Sequence, residues 1–130
     1  MTVAVLDASA LLALLRQEPG AEKVREVLSD AAMSAVNLAE VASYLARNGA
    51  TLAEVAEALF PLPIERIPFG DEDAYDTAML VTATRAAGLS LGDRACLALA
   101  KRLSLPALTA DRSWSSVASA VGVRVDVIRG

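Results

Sequence analysis

Short apolar runs alternate with amphipathic stretches along this chain, and each change of pattern predicts a change of secondary structure. The apolar run at 2–6 predicts a buried strand, and the helical spacing of apolar residues after it predicts a helix at 9–15. Further strands are predicted near 33–36, 64–67, 106–109 and 123–128, and further helices at 21–29, 38–47, 51–60, 71–87, 93–103 and 113–120.

Turn residues and helix caps mark several of these boundaries. Thr51 and Glu54 form the capping-box pattern that opens one helix, and Asp71 has the position of an N-cap for another. Strands that are separated by helices imply right-handed crossovers. The sequence therefore predicts an α/β fold, with residues 1–130 in one domain and a central parallel sheet flanked by helices on both faces.

Composition narrows the class of protein. The 130 residues fit a single domain, and although 55% are hydrophobic, no run is long enough to predict a transmembrane helix. The chain lacks the pattern of a secretory signal peptide, and its single cysteine, Cys96, cannot form an internal disulfide. We expect a cytoplasmic protein in which Cys96 is a buried, unreactive thiol.

The charge balance bears on the partners of this chain. A net charge of −4 argues against binding nucleic acid through bulk electrostatics alone. Four isolated acids, Asp7, Glu40, Asp93 and Asp111, match that whole excess, so divalent cations bound to them would leave a balanced surface. Arginine outnumbers lysine ten to two, and its guanidinium suits bidentate contacts with phosphate. The composition thus permits a nucleic-acid substrate.

Two of these acids directly follow predicted strands. Asp7 ends the run at 2–6, and Asp111 comes just after the strand at 106–109. Ligands of open α/β sheets bind at the carboxyl ends of the strands, so both positions favour a functional site. Each acid also has a simpler explanation as the N-cap of the helix that follows it.

The other two acids lie near predicted helix starts. Asn37 and Glu40 resemble a capping box, and an acid such as Asp93 interacts favourably with a helix dipole, so capping explains either of them without further function. The apolar neighbours of Glu40 predict a side chain near the buried edge. In βαβ units each helix begins where a strand ends, so all four acids are predicted at the same edge of the sheet.

Carboxylates gathered in this way repel one another unless a cation lies between them. The chain has no histidine, and ligation by oxygen alone suits Mg²⁺ or Mn²⁺ rather than zinc. The pattern therefore predicts hydrolysis assisted by a hard metal ion.

At these residues the sequence resembles the PIN-domain ribonucleases, and more narrowly the VapC-type toxins of toxin–antitoxin pairs. The resemblance is carried, in order along the chain, by LDASALLALL at 6–15, SAVNLAEV at 34–41, LSLGDRACLALA at 89–100, LTADRSW at 108–114 and GVRVDVI at 122–128. It implies a PIN-like domain that acts as a metal-dependent endoribonuclease. The implied partners are an RNA substrate and a cognate antitoxin, in a homodimer or a toxin–antitoxin hetero-oligomer.

The resemblance also implies roles for individual residues. The catalytic acids would be Asp7, Glu40, Asp93 and Asp111, with Asp7 and Asp93 as direct metal ligands and the other two acting through water or at a second metal. Ser9 and Thr109 would hold metal-bound waters. A water activated by metal attacks phosphorus without using the 2′-hydroxyl, so the expected products carry a 5′-phosphate and a 3′-hydroxyl.

Other interpretations remain open from the sequence. Arg94 and Arg112 adjoin proposed catalytic acids and either grip flanking phosphates or are solvated surface residues. Trp114 is expected to pack the last helix on the sheet rather than to stack on a base. Haloacid-dehalogenase phosphatases need a second Asp two residues after the first, where this chain has Ser9. The main alternative to an enzyme is a PIN-like protein-binding module without catalysis.

Overall fold

The computed structural model describes residues 1–129, which form five short strands and eight α-helices. In chain order these are β1 (Ala4–Leu6), α1 (Ala8–Leu15), α2 (Ala21–Val27), β2 (Ala31–Ser34), α3 (Ala35–Arg47), α4 (Leu52–Leu59), β3 (Glu65–Ile67), α5 (Asp71–Met79), α6 (Val81–Thr84), α7 (Leu91–Leu103), β4 (Ala107–Thr109), α8 (Ala118–Val121) and β5 (Val125–Val127). Single 3₁₀ turns occupy Leu28–Asp30 and Arg112–Ser116.

All strand pairs are parallel, and the sheet order is β3-β2-β1-β4-β5. In the central strand Val5 lies opposite Ala32 on one side and Ala107 on the other. The chain winds outward from β1 in one direction and from β4 in the other, so the strand order reverses between these two strands. Such a reversal opens a crevice at the carboxyl ends of the strands, where α/β proteins bind ligands.

Alternate residues of the strands face two separate apolar cores. Leu6, Met33 and Leu108 pack against α1 to α4, whereas Val5 and Ala107 pack against α7 and the C-terminal helical segment. Trp114 lies in the second core with no exposed surface. The predicted α/β fold with helices on both faces is confirmed, and so is the prediction that Trp114 packs the last helical segment on the sheet.

Helix α3 begins earlier than the sequence predicts. The predicted strand at 33–36 is Ala31–Ser34, and the helix that was expected at 38 begins at Ala35. The Ser34 hydroxyl accepts a hydrogen bond from the Val36 N–H at 3.2 Å and so caps the helix. Asn37 therefore lies inside the first turn of α3, and the predicted capping pair of Asn37 and Glu40 is wrong.

Two predicted helices are each divided. The segment 71–87 forms α5 and α6 with a break at Leu80, where the Thr84 hydroxyl donates to the Leu80 carbonyl at 2.8 Å. The N-cap of α5 is Gly70 rather than Asp71. The helix predicted at 113–120 is a 3₁₀ turn followed by α8. Over the described range 1–129, no helix has the length and apolarity needed to cross a membrane.

Candidate functional site

Asp7 occupies the crevice where the strand order reverses. It directly follows β1 and caps α1, because its Oδ1 accepts the Ala10 N–H at 2.8 Å. The side chain is nevertheless buried, with 3% of the residue exposed. A cap on a surface helix stays in water, so capping alone does not account for a carboxylate that is enclosed at the centre of a sheet.

Two hydroxyl groups hold this carboxylate. Thr109, the last residue of β4, donates to Asp7 Oδ2 at 2.6 Å, and the Ser9 hydroxyl lies 2.8 Å and 2.9 Å from the two Asp7 oxygens. Each hydroxyl in turn accepts a backbone N–H, that of Ala110 for Ser9 at 2.9 Å and that of Asp111 for Thr109 at 3.0 Å. The network fixes the orientation of Asp7 through neutral donors and leaves its charge uncompensated.

Burial dominates the titration of Asp7. Desolvation raises its pKa to about 6, against the lowering effect of the hydrogen bonds from Thr109, Ala10 and Ser9. The charge of Asp93 adds a smaller upward shift. Cys96 lies buried below the site as expected, and desolvation followed by the charges of Asp7, Asp93 and Glu40 raises the pKa of its thiol well above the ordinary range. It is therefore a protonated, unreactive thiol.

Glu40 reaches the same crevice from α3. Its Oε1 accepts a hydrogen bond from Asn37 Nδ2 at 2.9 Å, and the same amide nitrogen donates to the Gly92 carbonyl on α7 at 3.0 Å. The residue is exposed, so the expectation that Glu40 lies near the buried edge is wrong. Its carboxylate lies over Gly92, where a Cβ would come within 2.5 Å of Glu40 Cδ.

Asp93 and Asp111 both cap the start of a helical segment, as the simpler explanation of these two acids predicts. Asp93 Oδ2 accepts the Ser90 N–H at 2.9 Å in a capping box, and Asp111 Oδ1 accepts the N–H and the hydroxyl of Ser113 at 2.9 Å and 2.8 Å. Within residues 1–129 the second carboxylate oxygen of each has no hydrogen-bond donor, and the same is true of Glu40 Oε2. Hydrogen bonds within the protein therefore occupy only one carboxylate oxygen in each of Asp93, Asp111 and Glu40.

The four acids line one open cleft of about 280 Å³. Its walls are Asp7, Ala8, Ser9, Leu12, Glu40, Tyr44, Arg47, Asp93 and Asp111. In the part of the chain that the structure describes, no three His, Cys, Asp or Glu side chains converge closely enough to hold one metal ion. The four acids therefore share the cleft without converging on a single point.

The donor set fits a hard divalent cation. All four acids offer carboxylate oxygens, and in three of them one oxygen has no hydrogen-bond donor. None of the four forms an ion pair with a basic side chain among residues 1–129. Mg²⁺ and Mn²⁺ prefer such oxygen ligands together with waters, and so do not require a preformed cage of protein atoms.

The basic residues near the acids behave differently from one another. Arg94 turns away from the cleft, since its Nη1 donates to the Thr77 carbonyl of α5 at 3.2 Å, while Arg112 is exposed at the start of the 3₁₀ turn. Tyr44 and Arg47 line the cleft and were not singled out from the sequence. Their spacing from Glu40, four and seven residues along α3, is the signal that would have found them.

The sheet order, the central buried acid and the surrounding carboxylates define a single α/β domain with an acidic cleft at its topological switch point. The family model of the PIN domain matches residues 4–120, and the chain belongs to that family. A search of curated proteins finds no match to this chain.

Solved structures share the fold along nearly its whole length. VapBC from Salmonella typhimurium, in a DNA-bound crystal structure, is 16% identical with a TM-score of 0.74, and the match covers 97% of this chain and 98% of that one. FitAcB from Neisseria gonorrhoeae is 23% identical, with a TM-score of 0.70 and coverage of 95% and 96%. VapC20 from Mycobacterium tuberculosis, described as a toxin that cleaves the sarcin–ricin loop, is 14% identical, with a TM-score of 0.72 and coverage of 98% and 99%.

Proposed function

We propose that this chain is a metal-dependent endoribonuclease and the toxin of a toxin–antitoxin pair. The single observation that carries the proposal is the buried Asp7 carboxylate, which is oriented by two hydroxyl groups and faces three further carboxylates across one cleft. Burying a charge without a paired cation is costly, so a protein retains such a group where it binds something. Membership of the PIN family and the likeness to VapC20, described as a sarcin–ricin loop cleaving toxin, support the same function.

The residues divide the work as follows. Asp7 and Asp93 would ligate Mg²⁺ or Mn²⁺ directly, and Glu40 and Asp111 would act through water or at a second ion. When bound, such an ion supplies a water of lowered pKa and stabilises charge on the phosphoryl oxygens. Ser9 and Thr109 keep Asp7 ionised and correctly turned by donating to it. Each hydroxyl also has one remaining lone pair, which would accept a hydrogen bond from a water on the metal ion.

Calorimetric titration with Mn²⁺ tests the metal site separately from RNA cleavage. Wild-type protein should bind the ion, Asp7→Asn and Asp93→Asn should bind it at least tenfold more weakly, and Asp126→Asn, whose acid lies outside the cleft, should match wild type. A protein-binding module whose acids only cap helices would bind no Mn²⁺. Absence of Mn²⁺ binding by the wild type would therefore overturn the catalytic proposal.

The ends of the cleavage products test the chemistry. We expect 5′-phosphate and 3′-hydroxyl ends, because a water positioned at a metal needs no help from the 2′-hydroxyl. Fragments that carry 2′,3′-cyclic phosphates would instead require acid–base catalysis through the 2′-hydroxyl, and that result would reject the mechanism.

The proposed antitoxin would be a small protein that covers the cleft and an adjacent apolar groove. The groove lies between α3 and α4, and Leu52 and Phe60 at its border expose 86% and 79% of their surface. Related folds include a toxin–antitoxin complex from Klebsiella pneumoniae and DNA-bound VapBC from Salmonella typhimurium. Co-expression with the neighbouring reading frame, followed by size-exclusion chromatography, tests this; two proteins that elute separately would contradict it.

A further inference from the structure

Three side chains of α3 follow one another along the wall of the cleft. Glu40, Tyr44 and Arg47 are spaced by four and three residues, which places them on one face of a helix, and all three line the cleft. At a rise of 1.5 Å per residue, Tyr44 lies about 6 Å and Arg47 about 10 Å beyond Glu40 along the helix axis. A polymer that is cut at the acids would pass these two residues on its way out.

We propose that Tyr44 and Arg47 form a nucleotide-binding subsite, in which Arg47 binds a phosphate of the RNA strand and Tyr44 stacks on an unpaired base. The subsite rests on the proposed ribonuclease function, and it goes further by naming the residues that hold the strand and the single-stranded character of the bound segment.

The charge distribution of the cleft supports the role of Arg47. Its side chain is exposed in the last turn of α3, and no carboxylate of residues 1–129 lies within 4.0 Å of it, although it shares the cleft with four acids. The helix dipole favours a basic residue at this end of any helix, but it does not account for a position on the cleft wall. An anionic strand that approaches four carboxylates needs a cation beside them, and the guanidinium fork suits a phosphate.

The surroundings of Tyr44 support stacking. The Arg16 guanidinium lies 5.2 Å from the centre of the Tyr44 ring, and Arg16 is itself 3.4 Å from Glu18. The ring is half-buried and forms part of the cleft wall. A ring that is held from one side by a cation is already ordered before a base arrives, so stacking costs little side-chain entropy.

Stacking on Tyr44 selects for an unpaired nucleotide. In a duplex both faces of each internal base are covered by its neighbours, whereas a base in a loop or single strand offers a face to an aromatic ring. The subsite therefore predicts that the protein binds unpaired RNA more tightly than the same sequence in a duplex, with little dependence on which base is stacked.

The test is equilibrium binding of a fluorescein-labelled eight-nucleotide RNA, single-stranded or paired with its complement, followed by fluorescence anisotropy. Ca²⁺ replaces Mg²⁺ because it takes the same oxygen ligands. The variants are Arg47→Gln, Tyr44→Ala and Tyr44→Phe. Arg85→Gln is the matched control, since Arg85 is exposed and lies outside the cleft. Circular dichroism melting checks that every variant is folded.

We expect the wild type to prefer the single strand. Arg47→Gln should weaken binding about tenfold and lower the slope of log Kd against log salt by about 1, as the loss of one phosphate contact does. Tyr44→Ala should weaken binding about tenfold, and Tyr44→Phe should recover most of that loss because it keeps the ring. Arg85→Gln should bind as the wild type does.

The subsite is overturned if RNA binds well to the wild type and Arg47→Gln is no weaker than Arg85→Gln, or if Tyr44→Ala binds as tightly as Tyr44→Phe. Equal binding of single strand and duplex by the wild type also overturns it, because stacking then plays no part. If the wild type binds neither RNA, the ribonuclease proposal fails together with the subsite. Binding of RNA by the wild type thus distinguishes a failure of the subsite alone from a failure of the ribonuclease proposal.

Discussion

Thr109 donates a hydrogen bond of 2.6 Å to Asp7 across 102 positions of sequence, and this bond joins the carboxyl ends of the central strand β1 and its neighbour β4. Both residues are buried. The bond supplies a hydrogen-bond donor to Asp7, the buried acid of the cleft, and the pairing of β1 with β4 fixes the geometry of the bond. Orientation of the acid is thereby built into the sheet instead of depending on a flexible loop.

Removal of this donor should impair the site without unfolding the protein. Thr109→Val keeps the shape of the side chain but loses the hydroxyl, and a hydrogen bond to a charged group is worth about 1.5–3 kcal/mol. We expect cleavage to fall at least about tenfold and the pKa of Asp7 to rise further, as read from its carboxyl signal in NMR titration. Thr109→Ser restores the donor and should recover activity. An unchanged Asp7 titration in Thr109→Val would show that the bond does not tune the acid.

Neutralising Asp7 should abolish activity and yet stabilise the protein. The pKa of Asp7 is about 6 in the folded state against 3.8 in the reference state, so the folded protein binds the extra proton more tightly. The stabilisation of the folded state by the proton on Asp7 is complete below about pH 4 and is lost as the pH rises through 6. A pKa shift of this size corresponds to roughly 3 kcal/mol in the free energy of unfolding.

Urea unfolding of metal-free wild type and Asp7→Asn between pH 4 and pH 7 measures this effect. Asn removes the charge but weakens the bonds from Ser9 and Thr109, so a net gain of about 1–2 kcal/mol is expected at pH 7. The difference should shrink toward pH 4. A variant that is less stable than wild type at pH 7 would show that the buried charge carries no net cost.

Protons should compete with the metal ion at this acid. Asp7 must be ionised to ligate a cation, so the affinity for Mn²⁺ should be constant above pH 7 and fall by up to about tenfold per pH unit below 6. Calorimetry at a series of pH values gives the profile. An affinity that stays level from pH 7 down to pH 5 would exclude Asp7 as a ligand.

Gly92 should be required because the Glu40 carboxylate lies on it. In Gly92→Ala the new Cβ would stand 2.5 Å from Glu40 Cδ, so the acid must move. A displacement of about 1 Å at a reacting group costs on the order of a hundredfold in rate. Gly70→Ala is the control, since its Cβ would meet only Asp73 Oδ2 at 3.9 Å. If both variants cleave RNA as the wild type does, the position of Glu40 is not critical.

The sequence predicted the parts of this molecule that depend on local pattern. The strand before Asp7 and the capping box of Thr51 and Glu54 were both predicted, and both are present. Strands separated by helices predicted the parallel sheet, and the sheet in turn brings Asp7 and Asp111 to one edge. These features need only periodicity and the rule that helices begin where strands end.

The remaining features depend on contacts between distant segments. Asn37 lies inside α3, and its side-chain amide bridges Glu40 and the carbonyl of Gly92, which is 55 positions away. Arg16 and Tyr44 are 28 positions apart in the sequence, and the packing of α1 against α3 brings the Arg16 guanidinium to 5.2 Å from the centre of the Tyr44 ring. Local pattern cannot supply such partners, because they are set by tertiary structure.

Cleavage of total RNA tests the central claim most directly. Purified wild type and Asp7→Asn are incubated with cellular RNA in Mg²⁺ or Mn²⁺ and in EDTA, and the fragments are sequenced. We predict discrete fragments that require the metal ion and are absent with Asp7→Asn. Equal degradation by both proteins would indicate a contaminating nuclease. Intact RNA with a wild type that binds Mn²⁺ would contradict the claim that this acidic cleft hydrolyses RNA.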